Sequence, residues 1–424
     1  MGVHVVTAGE SLWSISVRYG VSLNTLVTVN GLVSAAKIVP GLALYIPEQT
    51  LPTRSYRVRT GDLLWRVAQR FNTTIPRIVA ANPGLNPNRL QIGQILAIPS
   101  PNKLAIETLG FLVPSGTAAD LAVIESLANQ LTYLAIVNYS FTDEGFAFAE
   151  SDDSALNSRS QELNIVPLLM IRNFTSTGFS AELAGSVLGN PTFRQNLVAS
   201  IANLATSRGF GGVSLDLEFI PPERRTDFTV FLQALKRQLG GLILNVNVHA
   251  KTEDLPTNKI VGAYDYAAIG NAADLMALMT IDFGYPGGPP APVSPINWAE
   301  QVVRYALTVV NPRKLLIAMP LYGYDKVVAT NATKGISVLA AQNQAITTGA
   351  SIRFDKTAQS PWYPYWAGAD EHIVWFEDIR SYIQKYNLLD RYNLAGTTYW
   401  QISLPAPQNW AYLASEITVI KRGI

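Results

Sequence analysis

The feature that most constrains this chain is an internal repeat near its N-terminus. Residues 3–47 and 55–99 superpose at one constant shift of 52 positions, without a gap, and Gly9 falls on Gly61. A gapless repeat of this length predicts two copies of one small structural unit. The other matched pairs are Leu12-Trp13 with Leu64-Trp65, Arg18-Tyr19 with Arg70-Phe71, Leu26 with Ile78, Asn30 with Asn82, Gly41 with Gly93, and Ile46-Pro47 with Ile98-Pro99.

Each copy is predicted to form a short strand, a glycine turn, two helices and a closing strand. In the first copy Leu12, Ile15 and Tyr19 are three and four residues apart, a spacing typical of one face of a helix. Units of about 45 residues have marginal cores, so Trp13 and Trp65 are predicted to be core anchors. Ligand platforms are the alternative interpretation of these two side chains.

The repeat has a recognisable pattern. Thr-Ala-Gly-Glu-Ser-Leu-Trp-Ser-Ile-Ser at 7–16, a later Asn and the closing Gly-Leu-Ala-Leu-Tyr-Ile-Pro at 41–47 resemble a LysM module, and the second copy does too. The resemblance implies two modules, at 1–48 and 54–100, that hold N-acetylglucosamine-containing glycans such as peptidoglycan or chitin. The alternative is that one module is a spacer. The implied glycan-binding residues are Gly9, Glu10, Ser11, Leu12 and Asn30 in the first module and Gly61, Asp62, Leu63, Leu64 and Asn82 in the second.

A Pro-Ser-Pro-Asn linker at 99–102 precedes a much larger region with eight apolar runs. Helical stretches separate the runs, and such alternation predicts parallel βαβ units. Eight units favour an α/β fold of the closed (β/α)8 barrel type, with an open doubly wound sheet as the second choice. The predicted strands are 105–113, 133–139, 165–171, 212–217, 242–248, 275–281, 314–319 and 397–400.

The fourth run carries the best candidate chemistry. Its sequence at 211–218 is Gly-Gly-Val-Ser-Leu-Asp-Leu-Glu, which places Ser214, Asp216 and Glu218 on one face at period two. Active sites of such barrels lie at the carboxyl ends of the strands, where the two acids are expected. Neighbouring acids raise one another's pKa, so one of them can serve as a general acid. An acidic strand end that only binds a helix terminus is the structural alternative.

Composition excludes several other classes of function. The chain has no cysteine, which excludes thiolate catalysis and disulfides, and its three histidines, His4, His249 and His372, are scattered. No metal and no cofactor are therefore expected. A formal net charge of +1 gives no argument for nucleic-acid binding, and no apolar run reaches the roughly 18 residues of a membrane span. Residues 1–100 hold nine basic and three acidic side chains, whereas the rest of the chain has more acidic than basic residues, so the two parts are expected to have different functions.

The fourth run also resembles the Asp-x-x-Asp-x-Asp-x-Glu signature of family 18 glycoside hydrolases. Further similarity to this family lies at 278–282, 320–324 and 396–400. With the two LysM-like copies, the segments at 287–295 and 374–381 are similar to the spore cortex-lytic N-acetylglucosaminidases of endospore-forming bacteria. The resemblance implies a catalytic domain at 103–424 with a small insertion at about 325–378, between strands seven and eight.

What the resemblance implies is retaining hydrolysis assisted by the 2-acetamido group of the substrate, an exception to the usual pair of protein carboxylates. Glu218 would be the acid and Asp216 would orient the acetamido group. Asp282 would contact the sugar in the −1 subsite, with Trp400 as its floor, although Trp400 could also be core packing. The remaining substrate-binding candidates are Tyr285, Tyr322 and Asn138.

Three departures from the family pattern stand out. Gly211 and Ser214 occupy the positions of the first two signature acids, and Ile281 occupies that of a tyrosine. In the family this phenol helps to hold the acetamido group, and losing one such donor costs about 10² to 10³ in rate. Either a nearby residue such as Tyr285 compensates, or the enzyme is slow.

The leading interpretation is a monomeric peptidoglycan hydrolase of the spore cortex or coat, deposited from the mother cell without a signal peptide. Its partner would be peptidoglycan or another N-acetylglucosamine-containing glycan, with no nucleic acid and no membrane. A catalytically weak glycan-binding coat protein and a chitinase are the alternatives. The aromatic segment 361–366 is expected either to line a glycan groove or to form the core of the insertion.

Overall fold

The eight predicted strands form a closed barrel. The computed structural model describes residues 2–47 and 51–423. Within these residues the barrel strands pair in parallel, and the first strand pairs with both the second and the eighth. The closed (β/α)8 fold is therefore confirmed over the open sheet. The barrel strands are Leu104–Leu112, Tyr133–Phe141, Val166–Arg172, Gly212–Asp216, Ile243–His249, Leu275–Met279, Leu315–Pro320 and Gly396–Trp400.

Amphipathic helices cover the outside of the barrel. The helix Arg225–Leu239, for example, buries apolar residues three or four positions apart, as a helix packed on a sheet requires. No helix in the described part of the chain has the length and apolar character to cross a membrane. The helices of this domain are Ala118–Ser126, Ser154–Glu162, Ala181–Gly189, Pro191–Ser207, Arg225–Leu239, Tyr266–Ala272, Ile296–Ala306, Ile379–Tyr392 and Pro407–Glu416. Short strands lie at Ala147–Ala149, Phe174–Thr175, Gly178–Phe179 and Ile417–Val419.

A five-stranded antiparallel sheet is inserted between barrel strand seven and the helix Ile379–Tyr392. Its first strand begins two residues after strand seven ends, so it rises directly from the top of the barrel. The aromatic segment is divided: Tyr363 is fully buried in the insertion, whereas Trp366 is 67% exposed. In spatial order the strands are Thr333–Ser337, Tyr322–Val327, Asp370–Trp375, Ser360–Ala367 and Arg353–Asp355, with the helix Val338–Thr348 packed beside them.

The two N-terminal copies share the expected strand, helix, helix, strand order. Asn30 connects the second helix to the closing strand, because its side chain donates to Leu26 O and Tyr45 O and accepts from Tyr45 N. Asn82 makes the equivalent three bonds in the second copy. The elements are Val3–Val5, Leu12–Tyr19, Leu23–Asn30 and Ala43–Tyr45, then Thr53–Arg57, Leu64–Arg70, Ile75–Ala81 and Ile95–Pro99.

The first module is docked on the large domain. Its buried apolar residues share one core with the inserted subdomain, including Ile46 from the module and Ile346 from the insertion. Gln408 Nε2 donates to Asn30 Oδ1 at 2.9 Å and to Ala43 O at 2.8 Å. At Gly41 (φ +83°) a Cβ would lie 1.7 Å from Ile352 O, so only glycine permits this approach.

The second module is held by ion pairs. Arg54 makes a bidentate contact with Asp390 at 2.8 and 2.9 Å, and Asp390 also accepts from the backbone N–H of Ser55. Arg57 reaches Glu300 at 3.3 Å. Planar two-bond pairing of this kind fixes orientation as well as distance. Both modules therefore pack directly against the large domain.

The prediction that Trp13 and Trp65 anchor the module cores is wrong. Trp13 is 64% exposed and Trp65 is 52% exposed. In each copy the leucine one position earlier is buried, and adjacent helical residues point about 100° apart, so burying Leu12 turns Trp13 outward. Aliphatic residues supply the buried surface instead, together with Tyr56 and Phe71 in the second module and the contact with the insertion in the first.

Candidate active site

The fourth barrel strand delivers two carboxylates to one cavity. Ser214 and Asp216 are buried, and Asn245 Nδ2 donates to Ser214 Oγ at 2.9 Å from the neighbouring strand. The strand ends at Asp216, so Glu218 follows beyond the last paired residue. Asp216 and Glu218 both line the cavity at the carboxyl end of the barrel. The period-two alternation thus brings the two predicted acids together.

Asn173 holds the backbone of Glu218 in place. Its Oδ1 accepts from Glu218 N and its Nδ2 donates to Glu218 O, both at 2.8 Å. The next residue, Phe219, has φ +55°, a left-handed conformation that is uncommon for a bulky side chain. The chain therefore turns sharply after Glu218, and the buried Asn173 clamps the residue before the turn. Sequence reasoning missed Asn173, and only its place just after the third strand could have indicated it.

Burial governs the protonation of Asp216. Desolvation raises the pKa of Asp216 well above its ordinary value, and the charge of Glu218 raises it further. A hydrogen bond with Asn247 and the positive charge of Arg172 act in the opposite direction. Among the described residues, Asp216 Oδ1 has no hydrogen-bond partner. Burial therefore favours the protonated form of Asp216.

His249 is the second neighbour that sequence reasoning missed. Its Nε2 lies 3.0 Å from Glu218 Oε2, within ion-pair distance but without the alignment of a hydrogen bond. The rings of Phe219 and Tyr264 pack against the imidazole at centroid distances of 5.4 and 5.6 Å. His249 ends the fifth strand, beside the fourth, where a polar residue at the carboxyl end was the available signal.

Asp282 receives two phenols. The hydroxyls of Tyr322 and Tyr324 both donate to Asp282 Oδ1 at 2.6 Å. Burial and the charge of Asp282 raise the pKa of both tyrosines, which stay protonated donors. Asp282 itself has φ +56°, so the backbone turns at this residue too. Tyr322 was a predicted site residue, whereas Tyr324 was not.

The structure does not bring Tyr285 to the position that Ile281 leaves without a phenol. Ile281 lines the cavity, but Tyr285 is 59% exposed and is absent from the residues that line it. Its ring packs beside Gly288 on the outer loop. Tyr285 thus lies outside the cavity, whereas the hydroxyls of Tyr322 and Tyr324 are fixed on Asp282, the residue after Ile281.

The cavity itself has a volume of about 480 Å³. Trp400 lines it and also lines an adjoining recess of about 310 Å³ that contains Asp282 and the two tyrosines. No group of three or more potential metal ligands occurs in residues 2–47 and 51–423. The cavity lining consists of Phe111, Met170, Arg172, Phe174, Phe179, Asp216, Glu218, Phe219, Asn247, His249, Ala277, Met279, Ile281, Asp282, Ala318, Thr398 and Trp400.

Asn138 lies outside the cavity lining. It is 2% exposed. Its Nδ2 donates to Ser151 O at 2.8 Å, and its Oδ1 accepts from Ser151 Oγ at 2.6 Å. Both ends of the amide are engaged in fixing the loop after the second strand, and its predicted contact with the sugar stays a prediction.

Several predicted glycan-binding residues of the modules have internal roles. Asn30 and Asn82 use their amides within each module, and Leu12 and Leu64 are buried in the two cores. These four side chains therefore have structural roles within the modules, and their predicted part in glycan binding stays a prediction. Gly9, Ser11, Gly61 and Leu63 remain exposed at the turns.

The two acidic turn residues organise the loop before the first helix. Glu10 accepts from Thr7 N at 2.8 Å and pairs with His4 and Arg18, and the bonds from Thr7 lower its pKa to about 2. Asp62 accepts from Arg59 N and from Tyr56 OH, both at 2.7 Å. Both carboxylates thus help to hold the turn in place.

Models of two known families match the chain, one over the barrel domain and one over the two N-terminal modules. The model of glycosyl hydrolases family 18 matches residues 123–404, and the LysM domain model matches residues 4–47 and 56–99.

Some individual relatives match nearly the whole chain, and others match the large domain. A cortical fragment-lytic enzyme of Bacillus anthracis is 32% identical over 431 residues, covering 99% of both chains. The crystal structure of the Bacillus cereus spore cortex-lytic enzyme SleL superposes with a TM-score of 0.86 at 30% identity, covering 100% of this chain and 99% of SleL. A chitinase from Chromobacterium violaceum superposes with a TM-score of 0.69 at 27% identity, covering 73% of this chain and 98% of the chitinase.

Proposed function

This chain belongs to the glycosyl hydrolase family 18 and carries two LysM domains, and we propose that it is a spore cortex-lytic N-acetylglucosaminidase that cleaves peptidoglycan. The observation that carries the proposal is the convergence of Asp216, Glu218, Asp282 and Trp400 on one cavity. The cortex-lytic names of full-length relatives supply the substrate class.

Glu218 is the proposed general acid. It donates a proton to the glycosidic oxygen while the 2-acetamido oxygen of the same sugar attacks C1, so no protein nucleophile is required. Asp216 orients and polarises the acetamido group and stabilises the charge that develops on it. Water then opens the cyclic intermediate, and the Glu218 carboxylate accepts a proton from that water, which restores the protonated acid.

Asp282, held by two tyrosines, is the proposed second acidic contact to the sugar in the −1 subsite. Two hydroxyls on one oxygen hold the Asp282 carboxylate in a fixed position toward the sugar, and preorganised groups of this kind stabilise transition-state charge without moving. Trp400 gives the apolar face of the pyranose a surface to rest on. The site therefore retains a polar wall although Ile281 replaces the usual phenol.

The LysM domains bind the glycan that the barrel cleaves. The excess of basic residues in 1–100 favours anionic peptidoglycan, and retention should weaken as salt screens this attraction. The spore cortex or coat is the proposed location, with deposition from the mother cell and action as a monomer.

Muropeptide analysis of digested cortex tests the proposal. Wild-type enzyme should release fragments that end in N-acetylglucosamine. Glu218→Gln should release them at least about 10²-fold more slowly, because general acid catalysis contributes about 10²- to 10⁴-fold to the rate. Equal product yields from the two proteins would overturn the assignment.

A chitinase is the second candidate, favoured by the structural likeness to the Chromobacterium violaceum chitinase. Oligomers of plain N-acetylglucosamine, assayed beside cortex fragments, separate the two. Faster turnover of the plain oligomers would favour the chitinase, and no turnover of either would favour a glycan-binding coat protein.

A further inference from the structure

Arg172 is a cation within the active-site cavity to which the proposed mechanism gives no role. It ends the third barrel strand, where its Cα pairs in register with that of Asp216 on the fourth strand. Residues opposite one another in neighbouring strands point to the same face, so Arg172 faces the cavity beside Asp216. Only 9% of the residue is exposed, and it lines the cavity with both catalytic carboxylates.

The guanidinium is incompletely used by the protein. Nη2 is 3.3 Å from both oxygens of Glu150, a long approach for a charge-assisted bond. Nε is buried and has no partner among the described residues. The guanidinium lies over the ring of Phe174 at 4.4 Å from its centroid, so its plane is fixed while donors remain free.

A neutral sugar does not explain this arrangement. Burying a guanidinium without satisfying its donors is costly, and the surrounding lining includes Met170, Phe174 and Phe179. A hydroxyl offers a single neutral acceptor atom, whereas a carboxylate offers two charged oxygens that match the planar fork of two parallel donors. The geometry thus fits an anionic group better than any part of an N-acetylglucosamine polymer.

We infer that Arg172 is a specificity-determining residue. It binds a carboxylate on the sugar adjacent to the N-acetylglucosamine whose glycosidic bond is cleaved. The inference rests on the proposed function and deepens it, because it makes the enzyme selective for acidic glycans over neutral ones. In peptidoglycan the carboxylate could come from the lactyl group of muramic acid or from an attached peptide.

Four soluble substrates of matched length test the inference. Two are peptidoglycan oligosaccharides, one with free lactyl carboxylates and one with peptides attached; the third is the peptide-free oligosaccharide with its carboxylates amidated, and the fourth is an N-acetylglucosamine oligomer. For Arg172→Gln, kcat/KM on one or both of the acidic substrates should fall about 10- to 100-fold more than on the two neutral substrates. The acidic substrate that shows this selective loss identifies the source of the carboxylate.

Two further variants separate recognition from structure. Arg172→Lys keeps the charge without the planar fork, so it should fold normally and show a smaller selective loss. Glu150→Gln removes the competing carboxylate and should increase the preference for acidic substrates.

Equal losses on acidic and neutral substrates in Arg172→Gln and Arg172→Lys would overturn the inference and leave Arg172 as a structural cation. Wild-type enzyme that cleaves none of the four substrates would instead overturn the proposed function itself.

Discussion

At the scale of single residues, Asp216 and Glu218 are predicted to act in one chemical step. Asp216→Asn should therefore lower kcat nearly as much as Glu218→Gln, by about 10²-fold or more. The kcat of the double variant should be only slightly lower than that of either single variant. Single-turnover kinetics on a soluble glycan oligomer measure this, with substrate affinity as the control that should largely survive. An Asp216→Asn enzyme with most of its turnover would make the carboxylate structural.

Asp216 should also make stability depend on pH. Its pKa is raised in the folded protein, so its favourable contribution is complete below the unfolded pKa of about 4 and is lost as the pH rises through the folded value. Asp216→Asn cannot titrate, and its Tm should exceed that of the wild type at pH 7, with a difference that shrinks toward pH 4. Thermal unfolding across this range measures the trend. A constant difference would contradict it.

The phenols on Asp282 should matter more than Tyr285. Tyr322→Phe removes one of two hydroxyls from Asp282 Oδ1 and should lower kcat about 10-fold or more, whereas Tyr285→Phe, at an exposed ring, should change it less than about twofold. Steady-state kinetics of the two variants give the comparison. A large loss in Tyr285→Phe alone would restore that residue to the site.

At the scale of elements, one buried lysine secures the loop that follows Asp282. Lys326 is 1% exposed, and its Nζ lies within hydrogen-bond distance of four backbone oxygens between Gly284 and Pro289, at 2.7 to 3.3 Å, which share its three N–H donors. Lys326→Met leaves these carbonyls without their donor and should lower the free energy of unfolding by about 2 kcal/mol or more. Denaturant unfolding measures the loss, with the exposed Lys334→Met as the matched control. Similar values for the two variants would show that the loop is held by other contacts.

The elements were predictable where a local pattern determines them. The barrel strands follow from apolar runs, the carboxylate pair from period-two alternation, and the modules from a gapless repeat. Asn173 and His249 escaped prediction because they reach Glu218 from other strands, and contacts so distant in sequence leave no periodic trace. The two tryptophans were misjudged because their helices bury the neighbouring leucine, and the first module completes its core on the insertion.

At the scale of the whole molecule, the first module is part of the stability of the large domain. Deleting residues 1–99 would expose the insertion residues that share its core, such as Ile346 and Ile352, each worth about 1.5 to 3 kcal/mol when buried. The truncated protein should therefore unfold at a lower temperature than the full chain. Calorimetry measures the shift, and Trp13→Ala, at an exposed side chain, should leave Tm nearly unchanged. An unaltered transition after truncation would mean that the interface contributes nothing.

The docked modules also fix the distance between the bound glycan and the cleaved bond. Domains joined by a flexible linker sample many separations, and their effective concentration at a second site follows linker length. Here hydrogen bonds from Gln408 and the Arg54 pair hold each module against the barrel, so the separation between an anchored strand and the cleft is a constant of the fold. Cleavage would then occur at a fixed distance from the point where a module binds the glycan, and the fragments released from an intact strand would have one preferred length.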